Sequence, residues 1–285
     1  MALKTITVNF QEINSDISYR FDSKYFFVKK TFEDLRKKGF SVVLLDELME
    51  YVISGSYIDT YLNEKDPNTI PYIRVATVKH YFLNENKEDF VFVSKNVPPK
   101  IKTKEKDIVI GRTAVLGVAS IIDKETEGFA ISQHITRIHF KEEKISPEYA
   151  LAYMNSKLFK LQMAIASYGT TRTELTHSQT KSVKIIIPKK DFEDKISLLI
   201  KEAIKKNRKA LNLIKQAQQL FYQKIGIDFS KIKKENVYSV NLSDFKDADL
   251  WTPKYSYPLY VNTCLLYTSD AADELDGVDL GGRRI

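Results

Sequence analysis

The chain has 285 residues, of which 43% are hydrophobic and 28% charged, with a formal net charge of +7 and a pI near 9.1. No run approaches eighteen apolar residues, and the opening "MALKTITVNFQEIN" has neither an apolar core nor a small-residue cleavage site, so neither a membrane span nor a secretory leader is expected. Cys264 is the only cysteine, so a disulfide framework and a cysteine metal site are excluded too, and a reducing cytoplasm fits.

The composition is that of an ordinary globular protein with room for one or two domains, and the basic excess favours an anionic partner. The first part, residues 1–189, reads as an α+β domain. "TFEDLRKKGFSVVLLDELMEYV" predicts a helix, a turn at Gly39, then a strand or short helix. "TIPYIRVATV", "FVFVSK", "DIVIGRTAVLGVASIID", "GFAISQHITRIHF" and "SVKIIIP" are short β-branched runs set between turn residues, hence strands. Between the last two, "SPEYALAYMNSKLFKLQMAIASYG" predicts one helix, capped by Ser146, with Pro147 in its first turn and Gly169 as its stop.

Residues 190–226 predict a single long helix, capped by Asp191, ended by Gly226 and roughly 50 Å long. Ile200, Ile204, Asn207, Leu211, Ile214, Gln218, Phe221 and Ile225 follow the alternating four- and three-residue steps of a coiled-coil seam. A second stripe, Ile196, Leu199, Ala203, Ala210, Leu213, Ala217 and Leu220, lies beside it. Two apolar stripes on so long a helix call for another helix alongside, so a homodimer through this element is expected. A lone amphipathic surface helix is the plainer alternative.

Residues 227–263 echo the start of the chain. "TVNFQEINSDISYRFDSKY" and "SVNLSDFKDADLWTPKY" share a Val-Asn-apolar opening, and Phe21, Lys24 and Tyr25 correspond to Trp251, Lys254 and Tyr255. A duplicated domain beginning after the long helix is the expectation. The stretch 264–285 changes character: it holds five acids, two arginines and no lysine. "CLLYTSDAADE" and "VDLGGRRI" together resemble the translation of a sequencing-library adapter, so this stretch is set aside from fold reasoning as a remnant.

Catalytic constellations are not found in the sequence. "NVPPK" (Asn96 to Lys100) has Val97 interrupting an Asn-Pro-Pro-aromatic methyltransferase pattern, and Lys100 where an aromatic would stack on a base. There is no GxGxxG after a strand, no phosphate-binding loop and no Asp…Glu-x-Lys nuclease set. His134 and His139 stand five apart on one strand-like run and would face opposite sides of a sheet, a poor metal pair. No enzyme, cofactor or metal is expected.

The densest chemistry lies in "SYGTTRTELTHSQTKSVKIIIP", where five threonines, Arg172, His177 and two lysines precede a strand. A solvated loop would use the same residue types, but so would a surface that touches phosphates and base edges. "IPYIRVATV", "KDIVIGRTAVLGVASII", "FAISQHITRI" and the stretch from Ser146 to Pro188, in that order, resemble the DNA-specificity subunits of type I restriction–modification systems over most of residues 20–225. Departures from the family pattern are Lys106 where a glycine is usual, Thr171-Arg172 for a small residue and glutamine, and Lys190, Asp191 and Asp194 for the proline and glutamine before the helix.

The resemblance implies a β-rich target-recognition domain followed by a long coiled-coil-type helix. It implies double-stranded DNA as partner, together with methyltransferase (modification) subunits and a restriction/translocase subunit, and no catalysis in this chain. Under it Thr170, Thr171, Arg172 and Thr173 are the first candidates to face DNA, since an arginine can bond guanine O6 and N7 with two donors. Arg112 and Thr113 in "IGRTAVLG" are the second, Lys79 and His80 the third, with His177 and Lys181 extending the basic surface. Two alternatives stay open: the specificity part of a restriction–methylation fusion enzyme, and a basic coiled-coil interaction protein without base preference.

Overall fold

The computed structural model describes residues 8–9, 11, 22–62, 66–84, 90–113, 116–167 and 174–225. The predicted adapter-like stretch, the echo around Trp251, Gly169, Gly226 and residues 170–173 lie outside these. The chain divides into two units, one ending at Arg208 and the other beginning at Lys209.

Helix α1 (Ser23–Lys37) is capped by Asp22, whose carboxylate accepts the Tyr25 amide at 2.8 Å, and it buries Phe26 and Phe32. Gly39, at φ +83°, turns the chain into strand β1 (Ser41–Leu44), as the sequence predicts. One helical turn, α2 (Leu45–Leu48), then leads into β2 (Met49–Ser54). The β-branched runs form β3 (Thr69–Ile73), β4 (Val91–Ser94), β5 (Ile108–Gly111), β6 (Ala119–Ile121), β7 (Ala130–Ile131), β8 (Ile135–Phe140) and, later, β9 (Lys184–Ile187).

Three sheets result. A four-stranded antiparallel sheet has the order β2-β8-β5-β6, a three-stranded mixed sheet β4-β3-β7, and β1 pairs β9 antiparallel. The four-stranded sheet is the centre, because each of its faces packs a core cluster. Along β5, Ile108 and Ile110 enter one core cluster while Val109 enters the other. Side chains alternate across a strand, so one buried run serves two cores. The first core adds Phe140, Leu151, Met154, Phe159 and Met163, and the second adds Tyr72, Val93, Ile101 and Ile131.

The helix predicted from Ser146 is two helices. Ser146 caps α3 (Pro147–Met154) and Ser156 caps α4 (Lys157–Ala166). Asn155 breaks the run by turning its amide to the edge of β6, donating to the Ala119 carbonyl at 3.0 Å and to the Leu151 carbonyl at 2.9 Å. Thr176 then opens a short helix, α5 (His177–Lys181), with a capping box closed by Gln179.

Helix α6 (Lys190–Ile225) has 36 residues, about 54 Å at the usual rise, and the unit boundary falls within it. It begins at Lys190, so Asp191 lies in its first turn instead of capping it. Its first half is fastened to the domain. Glu193 is buried and accepts the Ser146 amide at 2.6 Å, Ser197 bonds the Ser146 hydroxyl at 2.5 Å, and Arg208 pairs with Asp123. Ile196, Ile200 and Ile204 pack on the first core cluster.

Candidate nucleic-acid interface

Two polar clusters are built on the central sheet. The first is internal. Asp107, fully buried, accepts from Arg137 Nη1 at 2.6 Å and from the Lys104 amide at 2.8 Å, and bonds His139 Nδ1 at 2.8 Å. Tyr51 donates to Asp107 at 3.0 Å, stacks on the His139 ring, and lies under the Arg137 guanidinium, 4.8 Å from its centroid. Burial, with the Asp107 charge adding to it, holds the Tyr51 hydroxyl well above its ordinary pKa, so Tyr51 stays a donor. Arg137 also donates twice to the Lys100 carbonyl, at 3.1 and 2.9 Å. A buried charge is tolerated when it is paired and saturated with hydrogen bonds, and this cluster meets both conditions. It accounts for His139, committed to Asp107, while His134 sits in the turn before β8.

The second cluster sits where β2, β5 and the β7–β8 turn end. Arg112 directly follows β5, and its guanidinium donates to the Leu175 carbonyl from Nε at 2.9 Å and to Ser54 Oγ from Nη1 at 3.0 Å. Nη1 also reaches the Gln133 carbonyl at 3.4 Å, and Nη2 pairs with Glu174 at 3.0 Å. The Arg112 amide donates to the His134 carbonyl, and its own carbonyl accepts the Leu175 amide. Thr113 and Glu174 form an antiparallel bridge. From the other side, His177 Nε2 bonds Ser54 Oγ at 2.7 Å. Burial, then the nearby charges of Arg112 and Lys181, push the His177 imidazole below its ordinary pKa. Lys181 pairs with Asp46 at 3.0 Å across an exposed gap, an interaction worth little in water.

Four of the sequence-predicted residues, Arg112, Thr113, His177 and Lys181, thus fall on the elements that meet at Ser54. Lys79 and His80 are both exposed and tied elsewhere: Lys79 through its backbone to Ser120, His80 to Asn155 at 2.7 Å and Lys160 at 3.2 Å. Thr170, Thr171, Arg172 and Thr173 lie outside the described residues. The sequence reading passed over Ser54, Gln133 and Glu174. A hint for Glu174 was its position as the one acid in a run of hydroxyls and cations, whereas Ser54 carries no sequence signal because its partners are 58 and 123 residues away.

The predicted helix seam divides. Ile200 and Ile204 are half-buried and pack against the chain's own core. Asn207 and Leu211 are half-buried, and Ile214 and Phe221 are 56% and 53% exposed. Ile225 is the last residue of the helix. Among the described residues no group of three or more His, Cys, Asp or Glu could hold a metal ion, and no helix is long and apolar enough to cross a membrane.

The chain is similar to the S subunit of a type I restriction–modification system from M. genitalium, at 13% identity and a TM-score of 0.48, over 66% of this chain and 45% of that one. It is similar also to the HsdS subunit from Thermoanaerobacter tengcongensis, at 14% identity and a TM-score of 0.43, over 68% and 47% of the two chains. A curated relative, exocyst complex component 6 of Dictyostelium discoideum, is 26% identical over 128 residues, 38% of this chain and 12% of that protein. The chain spans about half the length of these solved relatives, at 45% and 47%. The model of the type I restriction modification DNA specificity domain matches residues 37–216, from the end of α1 through most of α6, and the chain belongs to that family.

Proposed function

We propose that this chain is a DNA-sequence recognition subunit of a type I restriction–modification system. In this reading the α+β domain reads a short stretch of duplex, and the long helix sets the distance to a second site. The chain itself performs no chemistry; it directs methyltransferase subunits and a restriction/translocase subunit to the DNA. The observation that carries the reading is the extent of the family match, which takes in all three sheets and the first half of α6 and more.

Two features support it further. The net charge of +7 suits a polyanion, whose affinity rests on Lys and Arg against phosphate. Leu213, Ile214, Leu220 and Phe221 are all more than half exposed on the helix beyond Arg208, which suits pairing with another helix, including a second copy of this chain. The candidates for base contact remain Thr170 to Thr173.

The test is a titration of duplex DNA with the full chain and with Arg172→Ala across a salt series. The reading expects steep weakening with salt, and loss of base preference in the variant without loss of general affinity. Salt-insensitive binding, or none, would leave a basic interaction protein instead.

A further inference from the structure

We propose that Arg112 is a positioning residue for recognition, a fork that fixes Thr113, itself a candidate DNA contact, side by side with Glu174. The proposal rests on the DNA-recognition reading given above. Arg112 was expected from sequence to face DNA, but its donors are turned inward. Its guanidinium bonds Leu175 O, Ser54 Oγ, Gln133 O and Glu174 Oε1, and the side chain is 20% exposed.

The geometry of the fork matters more than its charge. The guanidinium is planar and presents five donors, and here Nε, Nη1 and Nη2 reach three other chain segments at once, at Ser54, Gln133 and Glu174–Leu175. A lysine ammonium in the same place is a point charge on a flexible stem and cannot span them. The platform under Arg112 is stiff, because all four residues of β5 are buried. What it holds is stiff as well: Leu175 is fully buried in the first core, and Thr176 starts a capped helix. Ser54 closes the arrangement by meeting Arg112 and His177 together, and Gly55 behind it has no room for a side chain, since a Cβ there would lie 1.9 Å from the Ile131 carbonyl oxygen.

Thr113 is therefore held against Glu174 on a rigid base.

The experiment uses the full chain with Arg112→Lys, and Ser54→Ala as a milder second variant. The first readout needs no DNA: amide exchange at Leu175, whose N–H donates to the Arg112 carbonyl. Exchange at Leu175 should quicken at least about ten-fold in Arg112→Lys and by less in Ser54→Ala, while amides of the β5–β8 pairing keep their protection. Unchanged exchange at Leu175 in both variants overturns the proposal. The second readout is the ratio of affinities for a selected duplex and a scrambled one. Arg112→Lys should lower that ratio about ten-fold and leave the slope of log affinity against log salt unchanged. A retained ratio in Arg112→Lys, with the slope reduced by about one in Arg112→Gln, would make Arg112 a phosphate contact and overturn the proposal. If the wild-type chain shows no base preference, the recognition reading fails, and the exchange result still decides whether the fork holds the Thr113–Glu174 pairing.

Discussion

Lys106 has φ of +69°, in the left-handed region that costs a residue with a Cβ on the order of 1–2 kcal/mol. The backbone favours glycine here: the Glu105–Lys106 turn brings the Lys106 amide to the Ile122 carbonyl at 2.8 Å just before β5 begins. Lys106 also pairs with Glu142, but that pair is about half exposed and contributes little. Lys106→Gly and Lys106→Ala both lose the pair and differ only in backbone freedom. Lys106→Gly should be the more stable by about 1 kcal/mol in chemical denaturation; equal stabilities would mean that the turn is not left-handed in solution. His177 gives a pH-dependent counterpart. Its folded pKa lies below its ordinary value, so the native state binds fewer protons than the unfolded state around pH 6.5, and stability should fall as pH drops through that range. His177→Gln removes this term while keeping a partner for Ser54. The gap in melting temperature between wild type and His177→Gln should therefore shrink from pH 7.5 to pH 5.5, and a constant gap would contradict the assignment.

At the scale of elements, what was legible in the sequence was what local chemistry decides. β-Branched runs between turn residues located the strands, and Ser146-Pro147 marked a helix start that the structure keeps. The break at Asn155-Ser156 was written in the sequence as a cap residue inside a periodic run, but the apolar period outweighed it. Asn155 ends α3 because it bonds the edge of β6, a partner 36 residues away. The short helix α5 was likewise announced by Thr176-x-x-Gln179 and read as loop because of its hydroxyls. The helix seam failed at one end for a different reason: periodicity tells that a face is covered, not by what. Ile200 packs on the domain, whereas Ile214 is exposed. Ile200→Asp should thus cost about 2–4 kcal/mol of domain stability, since it strips core contacts and sets a charge against apolar neighbours. Leu211→Asp with Ile214→Asp should change stability little but reduce the self-association expected of the helix, as read by sedimentation. A lowered melting temperature with unchanged mass would reverse these assignments.

For the molecule as a whole, a sheet packed on a core at each face gives the proposed recognition surface a fixed base. Its strand ends, at Ser54, Gly111 and Ile135, are fixed by cores on both sides, and Arg112 and His177 assemble on that fixed base. None of this convergence was visible in sequence, because it joins residues from the 50s, 110s, 130s and 170s. The fold class and the family were visible, because they depend on local runs taken in order. The measurement that tests the account most directly is selection: the full chain is mixed with a pool of random-sequence duplexes at moderate salt, and the retained duplexes are sequenced. The account predicts enrichment of a short fixed motif above a background held by phosphate attraction. Retention of duplexes with no enriched motif, both alone and with a modification subunit added, would contradict it.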